Sequence, residues 1–166
     1  YEMWFEQNFL GDKLSFLAGL YDLNSEFDAI ETAGLFLNSS HGIGPDFSQT
    51  GLNGPSIFPN TSLGLRTRFQ PVEKFYIQTV VLDGVPGDLE NDKDARIKFD
   101  EEDGILFCTE LAYVTGDDAK PYTKIAIGVH KYTTQFESFI ELDEDGNPAE
   151  SASNPGFYLF AERAVF

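Results

Sequence analysis

Residues 62–70 read SLGLRTRFQ, and apolar and polar side chains alternate along the whole stretch. In an extended chain, Leu63 and Leu65 fall on one face, whereas Arg66 and Arg68 fall on the opposite face. Such period-two alternation predicts a β-strand with one apolar face and one polar face. This stretch therefore indicates a sheet whose two faces meet different environments.

The same alternation recurs along the chain between turn signals. It resumes over residues 75–82 after a short turn, which predicts an antiparallel hairpin. The other alternating stretches cover residues 2–9, 14–21, 105–114, 122–130 and 157–166. We therefore expect about seven antiparallel strands and an all-β fold.

The connections between these strands alternate in length. Turns near residues 11, 71 and 116 are short, whereas the connections at 22–61, 83–104 and 131–155 are long and are expected to lack regular structure. Compact soluble domains seldom contain several long structureless connections. Outer-membrane barrels instead combine short periplasmic turns with long external loops, and about 9–11 tilted residues of each strand cross the bilayer. The pattern favours an antiparallel transmembrane β-barrel, of which this chain supplies about seven strands.

Charge and composition restrict the class of protein further. Asp and Glu number 28 against 11 Lys and Arg, a net charge of −17, which argues against nucleic acid as a partner. The longest apolar runs are a few residues, far below the roughly 18 that a membrane helix needs. The single cysteine, Cys108, excludes an internal disulfide framework. Of the 28 acidic residues, 15 lie within residues 83–103 and 137–150, which predicts two acidic external loops.

The two faces of the predicted strands can be assigned from the cost of burying charge in lipid. A charged side chain on the lipid face costs about 2–4 kcal/mol near the bilayer midplane. The face with Leu65 and Ile127 is therefore expected to contact lipid. The expected lumen face carries Arg66, Arg68, Glu110 and Lys124, to which we add the polar-face residues Trp4, Glu6, Tyr76 and Gln78.

Two other classes of protein remain open on alternation alone. A soluble acidic β-sandwich that binds or hydrolyses carbohydrate would bury its apolar faces against each other and leave its polar faces in water. A structural or adhesion barrel of the outer membrane would use its long loops as contact surfaces. Dependence on detergent separates the sandwich from the two barrels, and solute flux separates a channel from an adhesion barrel.

Several segments together resemble one family. In chain order these segments are DKLS (12–15), AG (18–19), DLNSEF (22–27), LFLNSS (35–40), GIGP (42–45), NGPSIFP (53–59), LGLR (63–66), FYIQ (75–78), DGVPGD (83–88) and YLFAE (158–162). In this order and spacing the chain resembles the carbohydrate-selective porin (OprB) family over most of its length. The resemblance implies a barrel of about sixteen strands that passes glucose and related sugars by diffusion across the outer membrane of a Gram-negative bacterium.

This resemblance carries expectations about partners and domain organisation. Residues 1–166 would be a single partial barrel, incomplete at both ends, because residue 1 is Tyr and the last strand runs to residue 166. The implied partners are small neutral sugars, outer-membrane lipid and the remaining strands of the same barrel, and a homotrimer is one assembly that the resemblance allows. The stretch 38–58 is expected to fold inward and narrow the pore, although a plain external loop is the alternative.

The expected lumen residues each have a second interpretation. Sugar passage needs polar groups that exchange hydrogen bonds with hydroxyls and aromatic faces for the pyranose ring. Arg66, Arg68, Glu110 and Lys124 fit that need, but they can equally pair with each other and stiffen the wall. Trp4 can serve as a stacking platform or as an interfacial residue at a barrel rim.

Catalysis and metal binding find no support in the sequence. His41 and His130 have no Cys or His companion at ligand spacing. Residues 143–146 read DEDG, but position 154 is Asn where a calcium loop needs Glu, so we interpret them as a solvated turn. Motifs of serine hydrolases, phosphate loops and zinc proteases are absent. We expect no enzyme activity and no cofactor.

Overall fold

The computed structural model describes residues 2–87, 103–117 and 120–165, and nearly all of its regular structure is β-strand. The strands are β1 (Met3–Phe9), β2 (Leu14–Tyr21), β3 (Ser62–Val72), β4 (Phe75–Asp83), β5 (Ile105–Asp117), β6 (Lys120–Tyr132), β7 (Phe136–Leu142), β8 (Pro148–Ala152) and β9 (Gly156–Arg163). A one-turn helix, α1 (Pro45–Ser48), and three short 3₁₀ helices (Leu23–Ser25, Glu31–Leu35 and Ser39–Gly42) lie between β2 and β3.

Seven of these strands form one antiparallel sheet in the order β1-β2-β3-β4-β5-β6-β9. This confirms the predicted all-β antiparallel fold and the hairpin rhythm of the sequence. The sandwich alternative needs two sheets packed face to face, whereas a single sheet carries all seven predicted strands.

The connection at 131–155 differs from the structureless loop expected from the sequence. It contains β7 and β8, which pair with each other in a separate two-stranded sheet. The turn between them is closed by Asp143, whose Oδ1 accepts hydrogen bonds from the backbone N–H groups of Asp145 and Asn147. The acidic stretch at 143–146 is therefore the exposed turn that was expected, but it closes a hairpin.

The hairpin formed by β5 and β6 is longer than predicted. Strands β5 and β6 extend to Asp117 and from Lys120, and their backbones stay paired there after a register shift that follows Thr115. The connection between β4 and β5 is the third long one, and most of its predicted acidic residues, those at 88–102, lie outside the described residues.

The register places alternate residues of all seven strands on the same face. One continuous row pairs Glu6 with Leu17, Leu17 with Arg66 and Arg66 with Val80. Leu65 on the next row, and Ile127 and Ile125 on rows three and five positions away, lie on the opposite side of the sheet. The two predicted faces of the strands are therefore the two faces of one sheet.

One of these faces is packed, and we call it the covered face; the other is the bare face. The bare face leaves its aliphatic side chains half exposed, for example Leu65 at 49% and Ile127 at 48%. The covered face is overlaid by residues 22–61, which we call the inner segment. Leu23, Phe27 and Phe47 of the inner segment are buried in a core with covered-face residues of β2, β4, β5, β6 and β9.

Candidate pore lining

All eight predicted lumen residues lie on the covered face. One row of paired residues brings Arg68, Gln78 and Glu110 side by side. Tyr76 lies on the next row of the same face, and Lys124 lies on the row after that. The alternation in the sequence is sufficient to place these residues on one face, because side chains alternate between the two faces along every extended strand. Many of the groups that hydrogen-bond to these residues belong to the inner segment, which has no such alternation.

Arg66 is held by two carboxylates and is almost inaccessible, with 2% of its surface exposed. Its Nε atom donates to Glu26 Oε2 at 2.7 Å, and its Nη2 atom donates to Glu6 Oε1 at 3.0 Å. Its Nη1 atom donates to Ser15 Oγ at 2.6 Å. Glu6 lies on β1 and Glu26 lies on the inner segment. Arg66 therefore joins the seven-stranded sheet, which we call the wall, to the inner segment that covers it.

Glu110 lies at the centre of the covered face and is fully buried, with 0% exposure. Its Oε1 atom accepts hydrogen bonds from Tyr76 Oη at 2.8 Å and from Gln78 Nε2 at 3.3 Å. Its Oε2 atom accepts from Tyr158 Oη at 2.8 Å and from the backbone N–H of Asp28 at 3.0 Å. Four donors of this kind offset the cost of burying a carboxylate.

A glycine makes room for one of those donors. Gly128 pairs with Glu110 on β5 and with Tyr158 on β9, and the Tyr158 ring lies over it. A Cβ atom at position 128 would overlap that ring. The tyrosine therefore reaches across β6 to Glu110 only because the residue between them has no side chain.

Backbone groups of the inner segment are held by three further wall residues. Lys124 Nζ donates to the Ala29 carbonyl oxygen at 2.8 Å, and Gln78 Nε2 donates to the Glu26 carbonyl oxygen at 2.9 Å. The Glu162 carboxylate accepts from the backbone N–H groups of Glu31 and Thr32 at 3.2 and 2.8 Å. These bonds fix residues 26–32 against strands β4, β6 and β9.

Asp28 links the two halves of the inner segment. Its backbone adopts a left-handed conformation with φ of 49°, which Asp tolerates better than most residues, and its Oδ2 atom accepts from the Gly44 N–H at 2.8 Å. Burial raises the pKa of Asp28 to about 6, and the Glu110 carboxylate adds to the rise, whereas Gly44 and Lys124 oppose it. The segment thus contains a carboxyl group that titrates near neutral pH.

A cavity of about 240 Å³ remains between the inner segment and the wall. It is lined by Ser25, Glu26, Ala29, Glu31, Arg68, Tyr76, Val114, Tyr122 and Lys124. The Arg68 guanidinium lies 4.0 Å from the centre of the Tyr76 ring and 3.9 Å from Glu26 Oε1. Two cationic and two acidic side chains therefore share a small site that also contains aromatic surface.

The other predicted residues lie apart from this cavity. Trp4 is 49% exposed on β1, opposite Gly19, and Glu6 contacts Arg66. His130 faces the inner segment and stacks on Phe47 with 4.4 Å between ring centres. Within the ranges that the structure describes, no group of three or more His, Cys, Asp or Glu residues is arranged to hold a metal ion.

Sequence reasoning missed several residues of the site on the inner segment, β6 and β9, which are Glu26, Asp28, Glu31, Tyr122, Tyr158 and Glu162. The alternation Tyr158, Phe160, Glu162 was a usable signal for β9, because it places Glu162 on the face of Tyr158. The inner segment offered no such signal, since its backbone is irregular. Within residues 38–58, Phe47 is buried against the covered face, whereas Leu52 and Phe58 are exposed. That this stretch narrows a pore stays a prediction.

Among the described residues, no helix is long and apolar enough to cross a membrane. A single antiparallel sheet with one packed face and one bare, half-exposed apolar face is typical of the wall of a β-barrel. A model of the carbohydrate-selective porin, OprB family, matches residues 1–165, so the chain belongs to this family. The family consists of outer-membrane channels of Gram-negative bacteria and not of enzymes.

A solved structure supports the same fold. The chain is similar to the high-pH structure of Pseudomonas putida OprB, with a TM-score of 0.65 and 15% sequence identity. The match covers 99% of this chain and 40% of that chain, so the chain spans less than half the length of this solved relative. A search of the curated proteins found no match.

Proposed function

We propose that this chain forms part of the wall and the constriction of an outer-membrane channel through which small neutral carbohydrates diffuse passively. Family membership supports the class of solute. The observation that carries the proposal is the cavity between the inner segment and the wall, where Arg68, Tyr76 and Lys124 meet Glu26 and Glu31. In this proposal the covered face lines the lumen.

The bare face would contact lipid. Its strands present half-exposed aliphatic residues such as Leu65, Ile125 and Ile127, which would be costly to leave in water. In the described sheet β1 and β9 each pair on one side only. We propose that further strands of the same polypeptide pair with these edges, so that residues 1–166 are one part of a single barrel domain; a homotrimer of such barrels stays a prediction.

The covered-face residues divide into two groups in this proposal. Arg66, Glu110 and Gln78 are buried and engaged with neighbours, which supports the interpretation that they stiffen the wall. Arg68, Tyr76 and Lys124 line the cavity and are the predicted residues that we assign to sugar contact. Glu26, Glu31 and Tyr122 join them from the inner segment and β6.

Balanced charge suits a neutral solute. Paired cations and carboxylates exert little net field on an uncharged molecule, but each offers strong donors or acceptors to a sugar hydroxyl. The aromatic surface of Tyr76 and Tyr122 suits the apolar face of a pyranose. Contacts of this kind must stay weak, because a channel releases what it binds.

The test is flux through the full-length protein in liposomes. Arg68→Ala should change the flux of glucose relative to a sugar alcohol of similar size, because it removes donors that face the cavity. Arg163→Ala is the matched control, since Arg163 is exposed on the bare face of β9. Equal scaling of both fluxes in the Arg68 variant would show that the cavity has no part in recognition.

A further inference from the structure

Glu110 has no exposed surface, and it contacts the inner segment through the backbone of Asp28. The cost of placing Glu110 in the core is met by three side-chain donors from strands β4 and β9 and by one backbone donor from the inner segment. Since an apolar residue would fill this position without that cost, the carboxylate has a task that packing alone does not require.

We propose that Glu110 is the positioning residue that holds the inner segment across the lumen and so sets the size limit of the channel. This inference rests on the proposed function. The contact that carries it is the 3.0 Å hydrogen bond from the Asp28 N–H to Glu110 Oε2. It joins residues on the wall and the inner segment that are 82 positions apart in sequence.

The effect of that bond extends through the inner segment. Asp28 accepts a hydrogen bond from Gly44, the residue that begins α1, and α1 carries Phe47. Phe47 stacks on His130 at 4.4 Å and on Tyr158 at 5.7 Å, and Tyr158 donates to Glu110. The inner segment therefore contacts the Glu110 carboxylate in two ways, directly through Asp28 and indirectly through Phe47 and Tyr158.

The other wall contacts flank this centre. Lys124 holds Ala29 and Glu162 holds Glu31 and Thr32, so they fix the segment on the side of β6 and β9. Glu110 alone among these three wall residues combines contact with Asp28 and contact with Tyr158. Loss of its acceptors should release the segment from the wall and widen the passage.

The variant Glu110→Gln tests this with little change in volume. Its amide is uncharged and keeps one acceptor oxygen, so the bonds from Asp28 N–H and Tyr158 Oη, which share Oε2, are either lost or become weaker bonds to a neutral acceptor. In liposomes with the full-length protein, the ratio of trisaccharide flux to monosaccharide flux should rise about tenfold, as expected for the loss of one hydrogen bond to a charged group. Glu73→Gln, in the exposed turn between β3 and β4, is the control and should leave the ratio unchanged.

A second readout reports the segment directly. Phe47 is buried in the wild type, so chymotrypsin should cleave after it faster in Glu110→Gln than in the wild type or in Glu73→Gln. If Glu110→Gln fails to assemble, Tyr158→Phe removes one donor and keeps the carboxylate, and it should shift both readouts in the same direction by a smaller factor.

The outcomes separate the two proposals. Unchanged size limit and unchanged protection of Phe47, in a protein that passes sugars, would overturn the role of Glu110 and leave the channel function intact. A wild type that passes no sugar would overturn the proposed function, and with it the size limit, whatever the protease shows.

Discussion

The ammonium group of Lys124 donates a 2.8 Å hydrogen bond to the backbone oxygen of Ala29, which joins strand β6 to the inner segment. The same side chain lies 5.1 Å from the centre of the Phe160 ring and lines the cavity with Glu26 and Glu31. Lys124 therefore combines a structural contact with one of the two positive charges that line the cavity.

Replacing Lys124 by Met should make the channel more selective for cations. Met keeps an unbranched chain and removes the charge, so that Arg68 is the one cation left among the residues that line the cavity, while Glu26 stays paired with Arg66. The shift should be largest at low salt, since the Debye length falls from about 30 Å at 0.01 M to about 8 Å at 0.15 M. The reversal potential across a planar bilayer in a KCl gradient measures it.

Lys131→Met is the control, because Lys131 is exposed on the bare face near the end of β6. A shift of equal size in this variant would show that the effect belongs to the net charge of the protein and not to the cavity.

A charge on the bare face should impair assembly more than the same charge on the covered face. Ile125 pairs with Tyr113 and Lys124 pairs with Val114, so Ile125→Arg and Val114→Arg sit on adjacent rows and opposite faces. In lipid the first should cost about 2–4 kcal/mol, and the second places its charge beside a polar cavity. Heat-modifiable migration on gels reports the folded fraction of each, and equal loss in both would contradict a lipid-facing bare face.

The titration of Asp28 should make the stability of the protein depend on pH. Its pKa rises from 3.8 in the unfolded chain to about 6 in the folded protein because the carboxyl group is buried. The folded state then binds more protons, so the stabilising contribution is complete below pH 3.8 and is lost as pH rises through about 6. Asp28→Asn, which cannot ionise, should be more stable than the wild type at pH 7.5, by on the order of 3 kcal/mol.

The measurement is the free energy of unfolding in urea, in detergent micelles, at several pH values. The difference between Asp28→Asn and the wild type should shrink as pH falls from 7.5 to 4. A constant difference over that range would mean that another effect of the substitution dominates.

Gly128→Ala should destabilise the protein by about 1–3 kcal/mol, as overpacking does. The added methyl group overlaps the Tyr158 ring, and a displaced Tyr158 would lose its bond to Glu110. Gly34→Ala is the control, because a Cβ atom there meets nothing within 4 Å. The midpoint of urea unfolding distinguishes the two variants, and similar midpoints would show that the ring can move at little cost.

The sequence by itself was sufficient for the seven strands of the main sheet and for their two faces. Alternation is a local property: Leu65 and Arg66 are neighbours, and an extended backbone must direct them to opposite sides. The shared face of Arg66, Arg68, Glu110 and Lys124 follows from that rule. The short and long connections follow from the spacing of the alternating stretches along the chain.

Only the tertiary structure decided what those residues contact. Glu110 meets Asp28 and Glu162 meets Thr32 across 82 and 130 positions of sequence, and the inner segment has no period that predicts either contact. The β7–β8 hairpin was hidden for a related reason, because its acidic residues resemble those of a solvated loop until the two strands pair. Hydrogen bonds between residues far apart in sequence depend on where the folded chain brings them. The inner-segment residues that contact the covered face are therefore determined by tertiary packing and not by the order of residues along any strand.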